Sequence, residues 1–164
     1  MAYFAELDED NIVIHVHVIG DDIPTSNGNL LDNPKHVDGE EYCRTLFKTD
    51  HIYKQTTKDR SYRNKYAAKG DLYDADKDAF ITYHPFPSWN LNQVDGRWIW
   101  QPPKSPPPPN QPSLREYTYT NDDGVEVTGY YDMDWDEDNL RWRAVKNDGS
   151  TLYWDNDNNQ FVAE

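Results

Sequence analysis

Carboxylates dominate the residues of this chain that could do chemistry. In "YYDMDWDEDNLRW" (130–142), Asp132, Asp134, Asp136 and Asp138 stand at alternate positions. Clustered carboxylate oxygens suit a hard cation such as calcium, and a carboxylate pair in an apolar cleft suits acid/base catalysis. A calcium loop of the EF-hand type needs glycine at its sixth position and glutamate at its twelfth. Counting from Asp134 these are Asn139 and Val145, and from Asp74 they are Ala79 and Pro85, so both fail. A cation site of another kind between loops stays open as an alternative. Catalytic carboxylates need an apolar setting that shifts their pKa, and these lie in polar, alternating sequence.

Other reactive types are sparse. His15 and His17 alternate in "IVIHVHVIG" and would share a strand face, a pair that could bind a metal, but no third ligand is evident. Cys43 is the single cysteine, which excludes an internal disulfide, and its place in a helical pattern points to the core. There is no G-x-S-x-G and no phosphate-cradling glycine loop. No enzyme activity, cofactor or resident metal is expected. The tryptophans, Trp89, Trp98, Trp100, Trp135, Trp142 and Trp154, could stack on sugars. Scarce aliphatic residues make them the expected core instead.

The elements that carry these residues are legible as hairpins. Tyr131, Met133 and Trp135 alternate with Asp132, Asp134 and Asp136, so the aspartates are first of all the wet face of a strand. Five segments share an apolar residue, Asp or Asn, a polar stretch, and an apolar residue seven places after the first. They are "LDEDNIVI" (7–14), "YDADKDAF" (73–80), "LNQVDGRW" (91–98, loosely), "WDEDNLRW" (135–142) and "WDNDNNQF" (154–161). In a hairpin with a two-residue turn, that spacing makes the outer residues cross-strand partners. It predicts Trp135 opposite Trp142, Trp154 opposite Phe161, Tyr73 opposite Phe80, and Asp136 opposite Arg141. The turns would fall at Asp138-Asn139 and Asp157-Asn158. A sixth hairpin turns at Asp123-Gly124. One helix is signalled near 39–48, with Asp38 as N-cap, Glu41 completing a capping box, and Val37 and Tyr42 as a hydrophobic staple.

The fold class expected is therefore mainly β: successive antiparallel hairpins forming small twisted sheets, with one short α-helix near 39–48. "WQPPKSPPPPNQPS" (100–113) cannot pair in a central strand and reads as extended polyproline II. It separates an N-terminal β-rich domain (1–101) from a C-terminal hairpin module (115–164), with 102–114 as linker or arm. No apolar run approaches the ~18 residues of a membrane span, and the opening residues lack the pattern of a secretory leader.

The net charge is −14, unevenly spread. Residues 44–69 carry 8 bases against 2 acids, whereas 116–164 carry 13 acids against 3 bases. Such an acidic surface is repelled by nucleic acid and by anionic lipid, so neither is an expected partner. The basic segment could dock onto an acidic partner surface or onto the chain's own acidic parts.

Three stretches together resemble a family of small structural proteins of tailed phages of marine bacteria, including cyanophages. They are "MAYFAELDEDNIV", "SYRNKYAAKGDLYDADKDAFI", and "HPFPSWNLN" followed by "RWIWQPP", covering roughly residues 1–103. "AAKGD" stands where the family tends to be glycine-rich, and the proline run and later hairpins look like elaborations. The resemblance implies a virion component with no chemistry to carry over. The expectation is an accessory decoration, cement or small tail-associated protein, resident in the virion and bound to other virion proteins or to copies of itself. Pro106, Pro107, Pro108 and Pro109 are the expected partner-binding residues, because proline has little freedom to lose on docking. A glycan-binding receptor module and an acidic DNA mimic are the alternatives.

Overall fold

The structure, a computed structural model, describes residues 1–30, 37–111 and 114–163. It is mainly β, with one α-helix among the described residues, and every strand pair whose register is defined is antiparallel. The chain divides into two compact units, residues 1–84 with 91–99, and residues 85–90 with 100–164. It therefore crosses between them three times, at 84/85, 90/91 and 99/100. No helix among the described residues is long and apolar enough to cross a membrane.

The first unit is built on a three-stranded sheet of β1 (Ala2–Leu7), β2 (Val13–Ile19) and β5 (Ile52–Thr56), with β1 in the centre. Its two faces serve two separate cores. Ala2, Phe4, Ile19 and Tyr53 pack with Leu30 and with Cys43 of α1 (Val37–Phe47). Ala5, Leu7 and Val13 pack with Ala67, Tyr73 and Phe80, the last two from the hairpin β6 (Leu72–Asp74) and β7 (Ala79–Ile81). Phe4 and Leu7 are fully buried, each worth about 1.5–3 kcal/mol relative to exposure. Gly39 lets α1 sit close: a β-carbon there would lie 2.7 Å from both Phe4 Cζ and Leu30 Cδ2. A short hairpin of β3 (Pro24–Thr25) and β4 (Gly28–Asn29), and most of the hairpin β8 (Asn90–Val94) and β9 (Arg97–Gln101), complete the unit.

The second unit contains the hairpin β10 (Glu116–Thr120) and β11 (Glu126–Tyr130). It also holds a four-stranded meander of β12 (Asp132–Asp136), β13 (Arg141–Val145), β14 (Thr151–Asp155) and β15 (Gln160–Val162). Its interior is aromatic. Trp135 and Trp154 are each 4% exposed, and Trp89, Trp135 and Trp142 meet edge-on with ring centroids 5.5–6.2 Å apart. Glu137 ties "PFPSW" (85–89) to this sheet: it accepts from Ser88 N (2.8 Å), Ser88 Oγ (2.7 Å) and Trp135 Nε1 (2.8 Å).

The hairpin registers match the sequence spacing. Trp135 faces Trp142, Trp154 faces Phe161, Tyr73 faces Phe80, and Asp136 faces Arg141. In the first segment a bulge shifts the pairing, so Leu7 faces Val13. The turn chemistry requires a correction. Asp138-Asn139 and Asp157-Asn158 are not two-residue turns of positive φ. The loops span four residues, with one left-handed residue at the fourth: Asp78 (φ 45°), Leu140 (φ 50°) and Asn159 (φ 51°). The aspartate at the second pattern position explains this. Asp74 Oδ1 accepts from Lys77 N, Asp136 Oδ1 from Asn139 N, and Asp155 Oδ1 from Asp157 N and Asn158 N. The other oxygen takes Lys77 Nζ, Asn139 Nδ2 and Asn158 Nδ2 respectively. Side-chain capping of the loop thus overrides the tighter turn. Of the five segments, Asp95-Gly96 in the loosest match is the one with positive φ at two successive residues (49° and 75°).

The helix also departs from expectation. It begins at Val37, so Asp38 lies inside its first turn. The Asp38 carboxylate accepts from Ser26 Oγ and from Asn27 Nδ2 (2.7 Å), pinning the β3–β4 turn, while Glu41 pairs with Arg44. The side chain of Val37, half of the expected staple, lies outside the described residues.

Candidate functional site

The stretch Thr57–Tyr66 organises the most distinctive surface of the first unit. Asp59 closes its turn by accepting from Thr57 Oγ1 (2.8 Å) and Ser61 N (2.9 Å), which hold its carboxyl below the usual range. Arg60, Arg63 and Asn64 all adopt left-handed backbone (φ 59°, 53° and 71°). Two consecutive such residues throw Arg63 inward and Asn64 to the other side.

Arg63 forms the centre of a buried ionic hub. Its Nη1 donates to Glu40 Oε1 (2.8 Å) and to the Gln55 carbonyl (2.8 Å), and its Nε to Asp78 Oδ1 (2.7 Å). Tyr73 Oη donates to the same Asp78 oxygen (2.6 Å), and Gln55 N and Lys54 Nζ satisfy Glu40. Burial opposes the Arg63 charge, but its bonds to Glu40 and Asp78 outweigh it and hold the guanidinium protonated. The hub joins helix, sheet and hairpin. Every group in it is spent on structure.

Asn64 builds outward. Its amide donates to the Phe80 carbonyl (2.9 Å) and the Trp98 carbonyl (3.1 Å), and its oxygen accepts from Trp98 N (2.8 Å). Arg97 Nη1 donates to the Asn64 carbonyl (3.1 Å). This stitching brings 60–66 and 97–99 together around a groove of about 220 Å³. Arg60, Lys65 and Arg97 supply cations, and Tyr66, Trp98 and Ile99 supply apolar walls. Lys65 is neutralised by Asp71 (2.6 Å). Arg60 is exposed and has no ion-pair partner among the described residues, and Arg97 spends one nitrogen on a carbonyl. In a chain of net charge −14 this is a local excess of positive charge beside apolar surface.

A second cluster lies on the helix-facing side of the sheet. Glu6 accepts from His17 Nε2 (2.7 Å) and His51 Nδ1 (2.6 Å). Burial raises the Glu6 pKa, but the two imidazoles outweigh it and leave the carboxyl below its ordinary range. His15 and His17 do share a face, with ring centroids 4.4 Å apart, yet His17 is committed to Glu6 and stacks on Phe47 at 4.1 Å. Among the described residues no three His, Cys, Asp or Glu side chains converge on a geometry that could hold a metal ion. The Cys43 thiol, fully buried, is pushed up to about 12 by burial and by Glu40, so it is neutral and packed.

The carboxylate row of the opening stretch is half paired, at Asp134 and Asp136, while Asp132 and Asp138 are exposed. Arg143 forks onto Asp134 (2.8 and 2.6 Å), and Arg141 reaches Asp136 at 3.3 Å. Trp135 and Trp154 are too buried to stack on a sugar.

The proline run is held by its own unit. Trp142 Nε1 donates to the Lys104 carbonyl, Asn156 Nδ2 to the Ser105 carbonyl and Arg115 Nη2 to the Pro107 carbonyl, each at 2.9 Å. Pro107 is fully buried, Pro108 half-buried, and Pro106 and Pro109 exposed. Extended proline segments leave their carbonyls unpaired, and indole, amide and guanidinium donors are the usual way to read them. The neighbouring Pro112 and Ser113 lie outside the described residues.

Sequence reasoning did not find the hub, the Glu6 cluster or the groove. The +6 balance of 44–69 was a signal of the last. Family models, curated proteins and solved structures were each compared with the chain, and none matches it.

Proposed function

We propose that the protein is a non-enzymatic structural component of a phage particle, an accessory protein that docks onto other particle proteins. The observation that carries this reading is the Arg60–Arg97 groove: uncompensated cations beside Tyr66, Trp98 and Ile99 on an otherwise acidic chain. Cations flanked by aromatic and aliphatic walls suit an acidic protein segment, with apolar area for affinity and charge for orientation. The buried titratable groups support it too. Glu40 and Arg63 are locked into a hub with the partly exposed Asp78, and Cys43 is sealed in the core. The self-capped hairpin loops fit a protein whose task is to cover and bridge. The virion assignment itself rests on the sequence resemblance described above.

The test is mass spectrometry of density-purified particles from the source, combined with a photo-reactive residue replacing Ile99, which is 42% exposed beside the groove. The expected result is the chain in stoichiometric amount, crosslinked to a particle protein. A chain abundant in lysate and missing from particles rejects the reading.

A further inference from the structure

We infer that the groove takes an acidic hairpin tip from a second copy of the same chain, the tip being Asn121 to Val125 of the β10–β11 hairpin. This rests on the groove being a docking surface and goes further by naming its occupant.

The tip has the complementary chemistry. Asp122 and Asp123 are exposed side by side and neither has an ion-pair partner among the described residues. Val125, two residues on, is 55% exposed. Two carboxylates and one aliphatic side chain thus face solvent within four residues. The groove offers two uncompensated guanidiniums, Arg60 and Arg97, beside Tyr66, Trp98 and Ile99. Several acids of the second unit are engaged: Asp134 and Asp136 with arginines, Glu137 with Ser88 and Trp135, Asp148 with Ser150, and Asp155 with its own loop. Glu116, Glu126, Asp132, Asp138 and Asp157 are exposed too, but Asp122 and Asp123 are the pair of adjacent exposed aspartates there with an exposed aliphatic side chain beside it.

The tip is also rigid. Asn121 Oδ1 accepts from Asp123 N (3.1 Å) and Val125 N (3.0 Å). Asn121 N donates to the Val125 carbonyl (2.9 Å), Gly124 N donates to the Asn121 carbonyl (3.0 Å), and Gly124 supplies the left-handed residue (φ 76°). A preformed tip loses little freedom on docking. Groove and tip are different surfaces of one chain, so the contact is head-to-tail. Such a contact closes into a ring or propagates as a string, according to the rotation it imposes. Either outcome suits a protein that covers a larger surface in many copies, where individually weak contacts are reinforced by multivalency.

Sedimentation velocity of the purified chain from micromolar to millimolar concentration tests this. At low ionic strength the mass should rise with concentration above the 19.3 kDa monomer, and fall back near 1 M salt, where the screening length is only about 3 Å. The double variant R60E/R97E, and separately D122K/D123K, should each weaken association by about tenfold or more. Circular dichroism would confirm their folds. Mixed together, the two variants should associate again, since each supplies the tip that the other's groove accepts. A wild-type chain that stays monomeric at low salt overturns the proposal, as does association indifferent to both reversals. If the monomeric chain still crosslinks from position 99 to a different particle protein, the groove stands as a docking surface and only its self-partner falls.

Discussion

The two units use the same hairpin and the same aspartate-capped loop, yet place their charges oppositely. In the first, arginine goes inside: Arg63 is buried with Glu40. In the second, arginine stays outside: Arg143 and Asp134 form a cross-strand pair, each roughly two-fifths exposed, over a tryptophan core. Chemically both are guanidinium–carboxylate pairs, Arg63 bridging Glu40 and Asp78 by single bonds and Arg143 forking onto Asp134. Energetically they differ by an order of magnitude, because the cost of orphaning a charge depends on whether water can reach it. A count of ion pairs would therefore mislead about which half depends on them.

The widest test of that contrast is Arg63→Ala. It leaves Glu40 buried without its guanidinium and should cost about 3–5 kcal/mol in urea unfolding. The Gln55 amide, bonded to Glu40 Oε1, should lose hydrogen-exchange protection before amides of β13 do. Equal loss in both units would break the comparison. Trp135→Phe probes the other half. It removes an indole donor from Glu137 and Ser88 and leaves a small void, for about 2–3 kcal/mol by the same unfolding measurement.

Glu6→Gln should cost about 1–2 kcal/mol at neutral pH, and its signature is the pH dependence. The folded carboxyl titrates below its unfolded value of about 4.5, so its contribution is present above that pH and is lost as pH falls through the lower folded value. The wild-type melting midpoint should drop across that acid window more steeply than the variant's. Parallel acid profiles would remove Glu6 from the account. Smallest is Arg143→Ala, at about 0.2–1 kcal/mol and shrinking with added salt. A loss as large as that of Arg63→Ala would show the second unit to be held by ions after all.

The strand registers were legible because the seven-residue spacing is local and each hairpin closes on itself. The turns were misread for an equally local reason: Asp74, Asp136 and Asp155 prefer to cap their own loops, which demands one left-handed residue, not two. Asp38 was misread because its partners, Ser26 and Asn27, lie in a preceding turn that no helix signal mentions. The groove was beyond local pattern. The 44–69 segment shows its charge in the sequence, but not that Arg63 turns in while Arg60 turns out. Nor does it show that Asn64 reaches 34 residues along the chain to fasten Trp98. The proline run was legible as extended. Its anchoring was not, because the donors that hold it, Trp142, Asn156 and Arg115, bind carbonyls, which every residue possesses.

The three crossings of the chain have a consequence for how such a protein can be taken apart. A single nick at 99/100 would leave Ser88 and Trp89 covalently attached to the first unit while Glu137 and the tryptophan cluster still grip them. The fragments would stay together through a gel-filtration column and separate only in denaturant. By the same logic, neither unit can be lost, swapped or inherited as one uninterrupted gene segment. Recombination that exchanges the C-terminal half must carry residues 85–90 with it or leave a sheet without its clasp.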